Sequence, residues 1–433
     1  MTEISETRSK SKKSAHYYFL YLVGILVLVQ IIDSYSASYT GAFPSKIIEE
    51  FLADYSRNDA DATMNLSLGI ATLGMYFAFF SQALSDKFGR KPLLVFTTLG
   101  MGVSALLLNF SYSIVSYTAI LFLSYIFVSS DLWLIYITEE STPEKRGFYT
   151  NVVMALGILG PIFIPLFRSI HITEMSPVGS WRGLTYFPIA LGIPLSMIIF
   201  FTIRETSKYK ELGKEVREHA RSPRVSLREN LVQLFRADRR GEFIILCIMS
   251  LSLGFNYLIL QMAESYANKN TGLTEEDISS IITIIALSVI GMYLVLAFLA
   301  DRIGRKKILY VFSILLPVGT ILLYLGGKLG TQEYAFIATG MTFGYVGHNG
   351  LQILFRIIIV EILPTGRRGT GSGLRAFLQS LGITGGFFLG SVLTMHLGLG
   401  LTFVLFGIPV FANIPLIFRY LKETKGADLS KVE

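Results

Sequence analysis

The chain has 433 residues, of which 52% are hydrophobic and only 16% charged, with a formal net charge of +7 and a mean hydropathy of +0.54. A soluble domain carries about 25% charged residues, so this composition excludes a water-soluble globule and makes lipid the solvent for most of the surface. Cys247 is the single cysteine, which excludes an internal disulfide.

The chain opens with "MTEISETRSKSKKSAH", polar and basic, ahead of an apolar run that lacks a small-residue cleavage pattern; this reads as a cytosolic tail. "YYFLYLVGILVLVQII" (Tyr17–Ile32) then begins a series of apolar runs of about 20 residues, long enough to cross a bilayer as helices. Strands would need alternating polarity, which these runs lack. Helices satisfy every backbone group within their own segment. Twelve spans are predicted, at 17–43, 64–84, 92–111, 114–138, 147–170 and 183–203, then at 242–265, 277–299, 307–326, 332–360, 370–396 and 399–420. This divides the chain into a tail (1–14), a first bundle (15–203), a linker (204–240), a second bundle (241–422) and a closing tail (423–433). The linker holds eleven Lys/Arg against six Asp/Glu. It reads as short amphipathic helices on the membrane surface or, equally, as a solvated basic connection.

Charge orients these spans. The termini, the linker and the loops after spans 2, 4, 8 and 10 fall on one side and hold thirty of the thirty-eight Lys/Arg. The opposite side holds six: Lys46, Arg57, Arg168, Arg182, Lys269 and Lys328. That excess marks the cytosolic face. The net charge is therefore a signal of topology and implies no nucleic acid. A multi-pass protein of the cell membrane with both termini cytosolic is expected, with the lipid bilayer as its surroundings.

The two halves repeat. "LSDKFGRKPLL" (Leu84–Leu94) follows span 2, and "LADRIGRKKIL" (Leu299–Leu309) follows span 8. "EESTPEKRG" (Glu139–Gly147) follows span 4, and "EILPTGRRG" (Glu361–Gly369) follows span 10. "RETSK" and "KETKG" close spans 6 and 12. Three signatures in one order imply two six-helix bundles related by an axis along the membrane normal. These loops, with "SWRGLTYF" before span 6, resemble the major facilitator superfamily, in particular its sugar porter branch and its organic-ion and aromatic-acid transporters. The resemblance implies an all-α membrane protein with twelve transmembrane helices in two pseudo-symmetric six-helix bundles that rock about a central site. It implies a cytosolic gate in which Asp86, Arg90, Glu139 and Arg146 interlock in the first bundle, with Glu205 nearby. Asp301, Arg305, Glu361 and Arg368 do so in the second, with Glu423. Anchoring of headgroups by the same Lys/Arg is the plainer reading, but it has no use for the carboxylates. The small residue that the family places four before the aspartate is Gln82 here.

Ionisable residues deep in spans are costly and mark function. Four stand out: Asp33 in span 1, Asp131 in span 4, Arg356 in span 10 and Arg375 in span 11. Glu264, near the outer end of span 7, is expected to reach water. Asp33 falls where the resembled symporters often place a proton-carrying aspartate, and a carboxyl among apolar neighbours has a raised pKa. Asp131 leaves open which acid cycles. By the same resemblance Gln379, Asn256 and Gln261 match amides that bind sugar hydroxyls, and Tyr257, Tyr345, His348 and Asn349 join them as candidate lining. The span 5 glutamine is Met154, however, and the aromatic position in span 10 is Arg356. A guanidinium fork suits a carboxylate or phosphate, so an organic anion is expected. A structural bridge between Arg356 and Asp131 is the alternative account. The expectation is therefore a monomeric secondary active transporter, a proton symporter for a small organic acid. A sugar or polyol porter is the alternative, and a non-transporting membrane sensor comes third. No metal cluster, nucleophile elbow or phosphate loop points to an enzyme, and no cofactor is implied.

Overall fold

A computed structural model describes residues 2–77, 88–128, 132–142, 145–207, 209, 235, 239–329, 333–363 and 368–424, and its elements there are all helical. Span 1 lies in the helix Thr2–Ser38, whose apolar part begins at His16, with a 3-10 turn at Tyr39–Ala42, and a short helix, Pro44–Phe51, follows it. Span 2 is described over Arg57–Thr72, span 3 is Arg90–Leu108, and span 4 comprises Ile114–Phe127 and Leu132–Glu140. Span 5 breaks into Arg146–Gly157 and Leu159–His171. Span 6 is a 3-10 stretch, Val178–Thr185, continued by Tyr186–Thr202. In the second half span 7 is Arg240–Phe255 and Tyr257–Asn270, span 8 Glu275–Ile303 and span 9 Arg305–Leu329. Span 10 is Glu333–Ile362, span 11 Arg368–Leu397, and span 12 Leu399–Phe411 with Asn413–Tyr420. Ten of these helices are long and apolar enough to cross a membrane; spans 2 and 10 complete the twelve.

Local chemistry sets the helix ends. Span 2 starts earlier than its hydropathy suggests because Ser56 caps it, accepting from the Asp59 N–H. Thr274 and Asp277 form a reciprocal capping box at the start of span 8. The break in span 5 lies where it crosses span 1: a Cβ at Gly160 would strike the backbone of Ile31 and Tyr35, so only glycine permits the crossing. Spans 3 and 6 cross in the same manner at Gly102 and Gly192.

Both ends of each half lie on one face. The Tyr18 hydroxyl accepts from the Arg204 N–H at 2.7 Å, and Glu242 accepts from the Lys422 N–H. This is termed the terminal face. The apolar cores then show how the halves meet. One core, with Leu26, Leu94, Trp133 and Ile199, belongs to the first half near the terminal face. A second, with Leu246, Leu309, Ile358 and Ile417, belongs to the second half at the same level. The third runs through both halves on the opposite side and joins Phe43, Leu68 and Trp181 to Met262, Ile281 and Phe387. The halves share a core only away from the terminal face. Elsewhere large side chains such as Phe96, Phe201, Leu294, Val311 and Phe418 are exposed, as lipid contact requires.

Candidate functional site

The repeated loops fold into two copies of one hydrogen-bond arrangement. Gly89 (φ 103°) and Gly304 (φ 104°) turn the chain into spans 3 and 9, a conformation glycine adopts without strain. In the first half Arg90 donates through Nε and Nη2 to Glu139 Oε1 at 3.2 and 3.0 Å, and the Thr206 hydroxyl donates to the other oxygen. Glu205 accepts the N–H groups of Arg90 (3.0 Å), Lys91 (3.2 Å) and Thr206 (3.0 Å). In the second half Arg305 reaches Glu361 Oε1 through Nε at 3.2 Å and Nη2 at 3.0 Å, with Thr424 on the other oxygen. Glu423 accepts from Arg305 (2.8 Å), Lys306 (3.2 Å) and Thr424 (3.0 Å). Each carboxylate sits at the exposed N–H groups of a helix start, where the helix dipole favours an anion. Four gate candidates thus meet in two pairs, each inside its own half. Arg146 is half-buried without an ion pair, and its Nε lacks an acceptor among the described residues. Asp86, Gln82 and Asp131 lie outside the described residues, as do the side chains of Asp301 and Arg368.

The bonds between the halves lie on the other side of the molecule. Spans 2 and 11 join through Asn65 to Thr394 (3.1 Å), Thr72 to Thr384 (3.1 Å) and Ser391 to the Ala62 carbonyl (2.7 Å). Ser265 of span 7 donates to Asp61 at 3.0 Å. Arg168 of span 5 is fully buried and pairs with Glu264 of span 7 and Glu275 of span 8. Glu264 is likewise fully buried, which overturns the expectation that it reaches water. Lys46 bridges Glu49 and Glu275 at 3.0 and 3.1 Å. Burial alone would lower its pKa; the two carboxylates outweigh this and raise it.

The candidate solute residues separate into three groups. Arg356 lies five residues before Glu361, roughly 7.5 Å along the helix from the terminal-face pair. It is exposed and has no ion pair among the described residues; Asp131, its expected bridge partner, lies outside them. Arg375, on the neighbouring span 11, is only 4% exposed. Its Nη1 donates to Gln379 Oε1 at 2.8 Å, its Nε has no acceptor, and no carboxylate pairs with it among the described residues. The positive charge of Arg356 acts on it. Asn349, half-buried at mid-span, donates to the Tyr345 carbonyl.

Tyr257 and Gln261 instead belong to the closed seam. The Tyr257 hydroxyl donates to the Ala37 carbonyl at 3.1 Å, and Gln261 accepts from Thr40 at 3.0 Å and donates to Tyr257 at 3.2 Å. Tyr345 ties span 10 to the Leu260 carbonyl, and the buried His348 ring lies 6.0 Å from that of Tyr257. Asn256 stands apart from both groups. It is 1% exposed, and its amide donates to the carbonyls of Phe406 and Ser252 inside the second half. Its sequence position matched a sugar-binding amide, but its helix face points at span 12. Asp33 is half-buried on span 1, and Met154 is exposed on span 5.

The family model of the Major Facilitator Superfamily matches residues 23–261 and 244–433. The chain belongs to this superfamily. A facilitated trehalose transporter of Apis mellifera ligustica is 24% identical over 98% of this chain and 89% of its own length. The arabinose-proton symporter of Bacillus subtilis is 24% identical over 82% of each chain. The sialic acid transporter NanX of Escherichia coli is 22% identical over 86% of this chain and 88% of its own. Among solved structures, a D-xylose-proton symporter superposes with a TM-score of 0.74 at 16% identity, covering 94% of this chain and 99% of the other. At that identity the likeness speaks to the fold.

As a superfamily member the chain is a transporter and not an enzyme. Its described halves are sealed against each other opposite the terminal face, while their terminal-face cores remain separate. The charged pairs at the terminal face are intact in this state. Sequence reasoning missed the seal. Arg168 carried no signal beyond being one of six basic residues on the sparsely charged side. Ser45, Asp61, Asn65 and Thr394 carried none beyond being polar near a span end.

Proposed function

We propose that the chain is a secondary active transporter that moves a small organic anion by alternating access, coupled to protons through Asp33 and Asp131. The membrane is the cell membrane, and the terminal face is cytosolic. Residues 15–203 and 241–422 are the two moving bundles, joined by the linker 204–240. The cytosolic gate comprises Asp86, Arg90, Glu139 and Arg146 with Asp301, Arg305, Glu361 and Arg368.

One observation carries the choice of solute. Arg375 is a buried guanidinium with one amide acceptor, beside the exposed Arg356. A buried cation without a counter-charge is costly, and two guanidinium groups together repel. An arriving carboxylate relieves both costs and matches the fork geometry. Arg356 and Arg375 contact the anion in this reading, with Gln379 and Asn349 lining the site, whereas Gln261, Tyr257 and Asn256 are engaged elsewhere in this state. A sugar or polyol porter is the second reading, favoured by the trehalose and arabinose transporters among the relatives. Against it, the span 11 amide that would bind a hydroxyl already accepts from Arg375.

The experiment is a thermal-shift and binding screen of organic acids against sugars on purified protein, repeated on Arg375→Gln and Arg356→Gln. The expected result is stabilisation by acids, lost in both variants. Stabilisation by neutral sugars that survives both substitutions refutes the anion reading.

A further inference from the structure

We propose that Arg168, Glu264 and Glu275 form the latch of the face opposite the termini, the set of bonds that must break before the transporter opens on that side. The inference rests on the chain's being a transporter and is independent of which solute it moves.

The bonding of Glu264 is the first ground. It sits in span 7, is fully buried, and accepts from the Ser45 N–H at 3.0 Å, the Ser45 hydroxyl at 2.7 Å and Arg168 Nη2 at 2.9 Å. All three donors belong to the first half. A carboxylate that served only to hold span 7 in its bundle would bond to its own bundle. One whose partners all lie across the seam holds the seam.

Arg168 is the complement. Its Nη2 also reaches Glu275 Oε2 at 2.7 Å, and Nη1 reaches the Glu275 carbonyl at 3.0 Å and Ser279 Oγ at 2.6 Å. Only its Nε bonds within its own half, to the Ala42 carbonyl at 2.8 Å. Around this core, Lys46 of the first half reaches Glu275 at 3.1 Å, and Glu174 accepts from the Glu275 N–H at 2.6 Å. The first half therefore supplies the cations that grip Glu264 and Glu275 of the second; Lys46 keeps a partner, Glu49, in its own half. Arg168 and Glu264 are electrically satisfied only while the halves touch. Once they part, each ion is left to the water that enters, so the cluster has two satisfied states and a costly middle. That is the behaviour a two-position switch needs.

The pairing is unequal, and this makes the proposal testable. Arg168→Gln leaves Glu264 buried without a counter-charge. Glu264→Gln leaves Arg168 still paired with Glu275. The first substitution must therefore open the face more than the second, and Ser45→Ala, which removes one neutral donor, least of all.

The test replaces Cys247 with Ser and places a single cysteine at Asn65, a fully buried residue of the span 2–span 11 seam. Its reaction with a water-soluble maleimide reports opening. Losing one partner of a buried ion pair is expected to raise the labelling rate by about tenfold or more in Arg168→Gln, with a smaller rise in Glu264→Gln and the smallest in Ser45→Ala. A spin-label pair at Lys145 and Lys307, on the terminal face, should move closer in the same order, because opening one face closes the other. Equal labelling in all variants overturns the latch. So does faster labelling without a change at the terminal face, which would mean local loosening. Should Arg168→Gln fail to fold, Glu264→Gln and Ser45→Ala decide alone, and no rise in either overturns the proposal.

Discussion

Glu205 and Glu423 offer a quantitative test of the duplicated terminal-face geometry. Glu205→Ala removes the acceptor of three backbone N–H groups, those of Arg90, Lys91 and Thr206. Glu423→Ala does the same for Arg305, Lys306 and Thr424. A hydrogen bond to a charged group contributes about 1.5–3 kcal/mol when well shielded. These sites are partly open to water, which can replace the lost acceptor, so about 1 kcal/mol per bond is the fairer figure. Each alanine should therefore cost about 3 kcal/mol. The glutamine variant keeps one acceptor oxygen and loses the charge at the helix start, at a cost of about 1 kcal/mol. For a chain of this length 1 kcal/mol corresponds to roughly 1–2 °C in Tm. Thermal unfolding in detergent should give a fall of about 3–6 °C for either alanine and about 1–2 °C for either glutamine. The equality between halves is the sharper part of the prediction, because the two carboxylates cap the same positions of equivalent helices. A large fall for one alanine and none for the other would refute the claim that the two loops are energetically the same device.

Two further substitutions separate roles within the candidate site. Asp33→Asn should abolish proton-driven accumulation in proteoliposomes while sparing exchange of solute across the membrane; undiminished accumulation would remove Asp33 from coupling. Asn256→Ala should leave solute affinity unchanged within a factor of about two and lower thermal stability by about 1–2 kcal/mol, because its amide bonds span 12 and not the central site. A large loss of affinity with unchanged stability would return it to the solute.

Much of the architecture was legible because lipid writes it in hydropathy. Runs of about 20 apolar residues name the spans, and the repeated loops name the two halves. The pairs Arg90–Glu139 and Arg305–Glu361 were legible too, since the same acid and base recur at the same places in both halves. Position along a helix was harder to read, and facing harder still. Span 2 was expected to start at residue 64, yet Ser56 caps its helix and Ser265 bonds Asp61 within the earlier turns. Asn256 lies at the right height for a solute ligand and on the wrong side of its helix. Glu264 and Arg168 were counted as charges near water because each was judged on its own helix. Their burial depends on the other half of the chain, and no local pattern contains that information.

The distribution of bond types along the interface fits a molecule that must come apart. Near the terminal face each half keeps its own apolar core, so the halves separate there without exposing it. On the other side the span 2–span 11 seam is lined by Ala62, Asn65, Thr72, Thr384, Ser391 and Thr394 and bonded through hydroxyls and amides. A neutral hydrogen bond traded for water costs about 0.5–1.5 kcal/mol net. The same seam built from leucine would cost about 25 cal/mol for every Å² uncovered. Such a seam closes firmly as a set and reopens without a large penalty at any one contact. Two features depart from this: the apolar core that the halves share on this side, with Leu68 and Phe387, must be uncovered, and the ion cluster at Arg168 exchanges its partners at a higher cost. On the latch proposal a handful of its bonds outweigh the neutral ones around them, so among the polar contacts of this face the cluster resists opening most and the hydroxyls and amides follow it.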